Sequence, residues 1–211
     1  MRLDQTIMQN TPENLHPTHH KILQRAEKEK LLKQRSNVIW MTGLSGAGKT
    51  TLAVNLEGEL SARGYLTQIL DGDNIRSGIN SNLGFSDTDR YENIRRIAEV
   101  SKLFLDCGII TINCFISPTE EIRKMARAII GSENFIEVFV NASFDVCERR
   151  DVKGLYSRAR RGEIKQFTGI DSPFENPVKP DIEIRTDILT IGESVKRLLD
   201  FVLPLIEPLY P

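Results

Sequence analysis

Apolar positions along the chain fall into short continuous runs separated by stretches of helical spacing. Val38-Ile39-Trp40-Met41 is a continuous run ending just before Gly43, the signature of a buried strand. Lys49 to Arg63 follows with Leu52, Ala53, Leu56 and Leu60 on one face and Gly64 where a C-terminal cap belongs, so it predicts a helix. Tyr65 to Leu70 predicts a second strand. Ser86-Asp87-Thr88-Asp89 resembles a capping box, and the helix it opens carries Ile94, Ile97, Ala98, Phe104 and Leu105. Ile109 to Ile116 predicts a third strand, Ile122 to Ile130 a helix, Phe135 to Val140 a fourth strand, and Ile182 to Ile184 a short fifth. Ile191 to Val202 predicts a closing helix. Strands alternating with helices define an α/β class with a five-stranded parallel sheet covered on both faces, a three-layer fold. Ligands of such sheets bind beyond the carboxyl ends of the strands.

The chain start breaks this rhythm. Residues 1 to about 18 are polar, contain two prolines and predict a loose tail. Residues 19–35 predict an edge helix with Ile22, Leu23, Ala26, Lys30 and Leu31 as an imperfect stripe. The division expected is therefore a tail with an edge helix over 1–35 and one domain over 36–211. His16, His19 and His20 lack carboxylates at fixed spacing, which argues against a metal site there. Composition adds exclusions. With 28 Lys and Arg against 29 Asp and Glu, the net charge of −1 argues against a general nucleic-acid binder. At 40% hydrophobic and 27% charged residues the chain has a globular composition. No apolar run approaches the 18 or so residues of a membrane span. Cys107, Cys114 and Cys147 fit neither a zinc site nor a redox pair, and reduced thiols in a cytoplasmic compartment are expected.

Candidate chemistry begins after the first strand. Gly43-Leu44-Ser45-Gly46-Ala47-Gly48-Lys49-Thr50, followed by Thr51, matches the phosphate-loop pattern between a strand and a helix. Such a loop turns backbone N–H groups and a helix N-terminus toward phosphate oxygens. Lys49 then reaches the β- and γ-phosphates and Thr50 offers its hydroxyl to Mg²⁺. The base-reading motif of a GTPase is missing, and strand three ends Ile116-Ser117-Pro118 rather than in the acid of an ATPase motor. The acids follow strand two instead, as Asp71-Gly72-Asp73, where a small-metabolite kinase places the carboxylate that approaches its acceptor hydroxyl. The alternative for this tripeptide is a plain strand-to-helix turn.

The acceptor leaves its own marks. Arg76 lies three residues after Asp73. Arg90 and Asn93 share one helix face, with Arg95 and Arg96 beyond them. Arg149 to Lys165 holds seven basic and two acidic residues, which suits a lid over polyphosphate at about 149–170 or a solvated basic helix. Phe85 and Phe167 sit in polar surroundings, where they either pack or stack on a base. Together these features suggest an acceptor with several negative charges and an aromatic base.

The residues resemble the adenylylsulfate kinase (APS kinase) family. The matching stretches are GLSGAGKTT (43–51), DGDNIR (71–76), GFSDTDRYENIRRIAEV (84–100), FISP (115–118), RDVKGLY (150–156) and FTGIDSPFENP (167–177). The phosphate loop is common to many enzymes; the other blocks, in this order, are specific. The resemblance implies a phosphate-loop kinase fold and transfer of the ATP γ-phosphate to the 3′-hydroxyl of adenylyl sulfate. It also implies a place in sulfate assimilation, Mg²⁺ dependence and a homodimer. By position, Asp71, Arg76, Arg90, Asn93, Ile116 and Lys153 are expected to bind the acceptor, and Phe85 and Phe167 to sandwich its adenine. Asp73 is expected near the 3′-hydroxyl and the metal. Ser117 matches a serine the family often assigns as a phosphoserine intermediate. Its neighbours Phe115, Ile116, Pro118 and Thr119 supply no base, so direct transfer assisted by Lys49 and Asp73 is the expectation. Thr119 and Glu120 depart from the aromatic residue and arginine usual after Ile-Ser-Pro. These 211 residues leave no room for a sulfurylase domain, so a separate ATP sulfurylase is expected to supply adenylyl sulfate.

Overall fold

The computed structural model describes residues 18–208. The expected loose tail, His16 included, lies outside the described residues except for its last residue. One sheet contains β1 (Val38–Thr42), β2 (Thr67–Asp71), β3 (Ile110–Cys114), β4 (Phe135–Asn141) and β5 (Ile182–Arg185). All pairings are parallel and the order is β2-β3-β1-β4-β5. The helices are α1 (Arg25–Leu32), α2 (Lys49–Ser61), α3 (Gly72–Arg76), α4 (Asp87–Asp106), α5 (Glu120–Ile130), α6 (Phe144–Arg150), α7 (Leu155–Arg160) and α8 (Ile191–Ile206).

The unbroken apolar run of β1 follows from its central place. Every residue of β1 is buried, and its side chains alternate between two cores. Ile39 and Met41 join the core closed by α2 and α8, with Leu56, Leu60, Leu198 and Val202. Val38 and Trp40 join the core closed by α4 and α5, with Ile94, Ile97 and Ala126. The carboxyl ends of β1, β2 and β3 therefore meet at one edge of the molecule, and each runs directly into a predicted site segment.

Boundaries shift for identifiable reasons. β2 starts two residues later than the apolar run suggested, because the Tyr65 amide still bonds back to Leu60 and the Leu66 amide donates to Gln34 Oε1. β3 stops at Cys114, since the Ile116 carbonyl is captured by the Thr42 hydroxyl at 2.6 Å and leaves the ladder. Thr119, the departure from the family pattern, is the N-cap of α5, so the helix begins at Glu120. The edge helix is shorter than 19–35, and its apolar stripe does not carry it. Ile22, Leu23 and Leu31 are exposed, and α1 has no buried residue. Arg25 anchors it instead, with bonds to Glu29, to the Ser36 side chain and carbonyl, and to Asn134 Oδ1 at 2.7 Å.

Candidate active site

The phosphate loop leaves β1 in a conformation that only glycine allows. A Cβ on Gly43, at φ +151°, would sit 2.3 Å from the Val140 carbonyl oxygen, and one on Gly46 2.9 Å from that of Cys147. Three side chains from outside the loop fix its peptide planes. Tyr156 Oη donates to the Ser45 carbonyl at 2.9 Å, Arg150 Nη1 to Gly46 at 3.1 Å, and Thr186 Oγ1 to Ala47 at 2.7 Å. In a trans peptide the N–H points opposite to the carbonyl. The Ser45 and Ala47 carbonyls so held fix the peptide planes that carry the amides of Gly46 and Gly48, at the N-terminus of α2.

Lys49 begins α2, and its ammonium donates to the carbonyls of Gly43 at 2.7 Å and Leu44 at 2.8 Å. Burial pushes its pKa down from 10.5 to about 8, against a weaker upward pull from the Asp71 carboxylate. Cys114 itself is pushed up to about 12, chiefly by burial, which leaves it an inert thiol. Thr50 Oγ1 donates to Asp71 Oδ2 at 2.8 Å. The other oxygen of Asp71 caps α3 by accepting from the Asp73 amide at 3.0 Å. The strand-to-helix turn is thus real, and the acid it places against Thr50 is Asp71. Asp73 is exposed two residues further on and forms an ion pair with Lys153.

The residues expected to meet the acceptor gather across the same opening. Arg76 ends α3 with its guanidinium 4.3 Å above the Phe85 ring and donates to the Leu83 and Gly84 carbonyls. Arg90, in the first turn of α4, donates to the Phe85 carbonyl at 2.9 Å, to Thr168 Oγ1 at 2.8 Å and to the Gln166 carbonyl. Burial, and then the charge of Arg90, lowers the pKa of Arg76, which marks a local positive field. Asn93 is buried, and its side-chain oxygen accepts from Asn80 Nδ2 at 3.0 Å. The two aromatic candidates differ. Phe85 is 59% exposed, whereas Phe167 is 8% exposed and packs edge-on against Tyr156 at 4.9 Å. Ser117, past the end of β3, is buried in a left-handed conformation at φ 39°.

One cavity of about 850 Å³ joins these groups. Its lining includes Ser45, Gly46 and Gly48 to Thr51 on one side. The other side includes Asp71, Asp73, Arg76, Phe85, Arg90, Asn93, Ile116, Ser117, Lys153 and Phe167. Of the expected loop residues, Gly43, Leu44 and Ala47 lie behind that surface and shape it. Arg95 and Arg96 do not join it; both pair with Glu92 at 2.7 Å on the outer face of α4. The basic stretch after Arg149 divides in the same way. Arg150 and Lys153 face the cavity, while Arg160 and Arg161 form exposed pairs with Glu148 and Glu163. Sequence reading assigned no role to Tyr156, Arg150 and Thr186. Tyr156 and Arg150 stand inside the quoted RDVKGLY block, and nothing local marks Thr186.

Similarity to characterised proteins agrees with this arrangement. The family model for adenylylsulphate kinase matches residues 35–185. The adenylyl-sulfate kinase of Bacteroides fragilis is 61% identical over 191 residues, covering 90% of this chain and 95% of that one. The adenylyl-sulfate kinase of Clostridium kluyveri is 53% identical over 184 residues, covering 87% and 92%. The solved APS kinase of Mycobacterium tuberculosis, in complex with AMPPNP and APS, superposes with a TM-score of 0.77 at 44% identity, covering 80% of this chain and 98% of that one. A phosphate loop facing an arginine-rich, aromatic-edged acceptor side, with matches of this extent, means that the chain belongs to the adenylylsulphate kinase family.

Proposed function

We propose that this chain moves the γ-phosphoryl group of ATP directly to the 3′-hydroxyl of adenylyl sulfate, giving ADP and 3′-phosphoadenylyl sulfate. The observation that carries the reading is the single cavity, in which the phosphate loop faces Arg76, Arg90, Lys153 and Phe85. The loop amides and Lys49 hold the β- and γ-phosphates of ATP. Arg76, Arg90 and Lys153 receive the phosphosulfate, and Asn93 and the Ile116 backbone lie beside it. The adenine of the acceptor stacks on Phe85, with Phe167 behind.

Asp73 orients the 3′-hydroxyl and accepts its proton, while Lys49 offsets the charge that develops on the transferred group. Before that, Asp73 must release Lys153, so acceptor binding exchanges one ion pair for another. Ser117 serves the acceptor as a hydrogen-bonding group. The group in contact with its hydroxyl is the Trp40 indole N–H, at 3.1 Å, and a donor cannot take the proton that a serine nucleophile must lose.

The donor set suits Mg²⁺, which keeps several waters and takes one or two protein oxygens. Thr50 Oγ1 and Asp71 Oδ2 are the oxygens in mutual contact, and Asp73 lies next along α3. These oxygens would hold an Mg²⁺ ion, which would supply neutralisation of the ATP phosphate charge. Residues 149–170 act as the lid, because they supply Lys153 and Phe167 to the acceptor and Arg150 and Tyr156 to the phosphate loop. The reading places the chain in the cytoplasm, as a homodimer in sulfate assimilation, supplied by a separate ATP sulfurylase. Among the described residues no helix is long and apolar enough to cross a membrane.

The test is a set of rate measurements with labelled ATP against adenylyl sulfate, AMP, adenosine and sugars. Adenylyl sulfate should be phosphorylated far faster than the others. A sugar or AMP as the better acceptor would overturn the reading.

A further inference from the structure

Trp40 is the chain's single tryptophan, and it sits inside the sheet rather than at a surface. Its ring lies between Phe115 and Phe135, at centroid distances of 5.8 and 5.4 Å, on the face that packs α4 and α5. An indole in such a core needs a partner for its one N–H donor. That partner is Ser117 Oγ, 3.1 Å away and buried with it. The Ser117 main chain is held as well. Its carbonyl accepts from Arg123 Nη1 at 2.9 Å, and the preceding carbonyl accepts from Thr42. Arg123 is in turn paired with Glu137 at 3.1 Å. These contacts keep a non-glycine residue in a left-handed conformation that it would not hold by itself.

A hydroxyl has one donor and two acceptor positions. Trp40 fills an acceptor position of Ser117 from below, and a neighbouring N–H donor polarises the O–H that it bonds. The proton of Ser117 is then available to an acceptor in the cavity that Ser117 lines. We propose that Trp40 is a positioning residue for phosphoryl transfer: its indole N–H fixes the Ser117 hydroxyl as a hydrogen-bond donor to the acceptor molecule. This rests on the reading of the cavity given above. It deepens that reading, because it assigns Ser117 a proton to give where the covalent alternative needs one taken away.

The experiment is a double-mutant cycle of Trp40→Phe and Ser117→Ala. Phenylalanine keeps an aromatic ring between Phe115 and Phe135 and removes the donor together with part of the ring volume, which is why the ATP control and the cycle are needed. Initial rates are measured against acceptor at saturating ATP, with the KM for ATP as an internal control. Trp40→Phe should lower kcat/KM for adenylyl sulfate about tenfold, the factor expected from one hydrogen bond of ordinary strength. The KM for ATP should stay within about twofold of wild type on the same argument, since a packing defect would move both. In the Ser117→Ala background, Trp40→Phe should have no further effect. Equal losses in both backgrounds, or none in either, would reduce Trp40 to a core residue and overturn the proposal.

A second measurement leaves Trp40 untouched, in case the variant folds poorly. The single indole N–H gives one proton–nitrogen NMR signal. Ser117→Ala should move it upfield, and adenylyl sulfate added to the wild type should move it downfield as the hydroxyl chain extends to the ligand. An indole signal unmoved by either change would also overturn the proposal. If the wild type phosphorylates another acceptor better, the functional reading fails by itself. The cycle and the titration are then run with that acceptor, and they still decide the role of Trp40.

Discussion

The nucleotide side and the acceptor side of the cavity are held in opposite ways. On the nucleotide side, backbone carbonyls of the phosphate loop are tied to Tyr156, Arg150 and Thr186, and two glycines pack so closely that no side chain fits. These ties shape the loop within the fold itself, so binding there costs little reordering. On the acceptor side the cationic groups are tied to one another's neighbours. Arg76 lies over Phe85, Arg90 reaches Gln166 and Thr168, and Lys153 pairs with Asp73. On the proposed reading, each of those contacts occupies a group that the acceptor needs. The acceptor must therefore displace internal partners, which lowers its net affinity but makes recognition depend on matching several charges at once.

The contrast can be broken most severely at Lys49. Lys49→Ala should cut turnover by on the order of 10²–10³, the cost of one lost electrostatic contact in the transition state. Steady-state rates on folded protein decide it, and a rate within twofold of wild type would remove the loop from catalysis. Phe167 tests whether the two sides are independent. It is buried against Tyr156, which holds the phosphate loop, so Phe167→Ala should cost on the order of 3 kcal/mol in stability and weaken both substrates. Denaturant midpoints together with both KM values read this directly. A change confined to the acceptor would mean the sides are uncoupled.

Phe85→Ala sharpens the comparison from the other side. Phe85 is mostly exposed, so stability should be unchanged, while acceptor affinity should fall by about 1–3 kcal/mol, the value of base stacking. Binding of adenylyl sulfate followed by calorimetry checks it, and an unaltered affinity would deny the stacking. The smallest effect is the pH dependence of Lys49. Its pKa falls from 10.5 to about 8 in the fold, so the unfolded chain binds more protons than the folded one across that interval. Stability should consequently rise with pH there. Affinity for ATP should fall about fivefold between pH 8 and 9 as the ammonium loses its charge, with a proton taken up on binding. Calorimetry in buffers of different ionisation enthalpy measures that proton, and buffer-independent heats would refute it.

The legibility of the two sides follows from the same physics. A phosphate loop is contiguous, because backbone amides of successive residues do the binding. Gly43 to Thr51 was therefore readable as a string, and so was the glycine requirement at its turns. The acceptor side draws on α3, α4, the end of β3 and the segment after α6. Its residues were readable as types, arginines and aromatics among polar neighbours, but not as partners. Phe85 and Phe167 looked alike in sequence, and only the packing of Tyr156 separates an exposed ring from a buried one. Arg90 and Arg95 also looked alike, five positions apart on one helix. The helical turn sends Arg90 toward the cavity and Arg95 to Glu92.

The sequence by itself determined the alternation of elements, the parallel sheet, the phosphate loop and the family, because periodicity and contiguous motifs are local properties. It also determined that Asp71 and Asp73 lie where the second strand ends. Only the tertiary structure decided which of them meets Thr50. It alone showed that α1 is held by Arg25 rather than by its apolar stripe, and that Trp40 reaches Ser117 across 77 positions of chain. Those pairings depend on strand order and register, which bring residues distant in sequence to within hydrogen-bonding reach. No local pattern encodes the distance between two side chains on different strands.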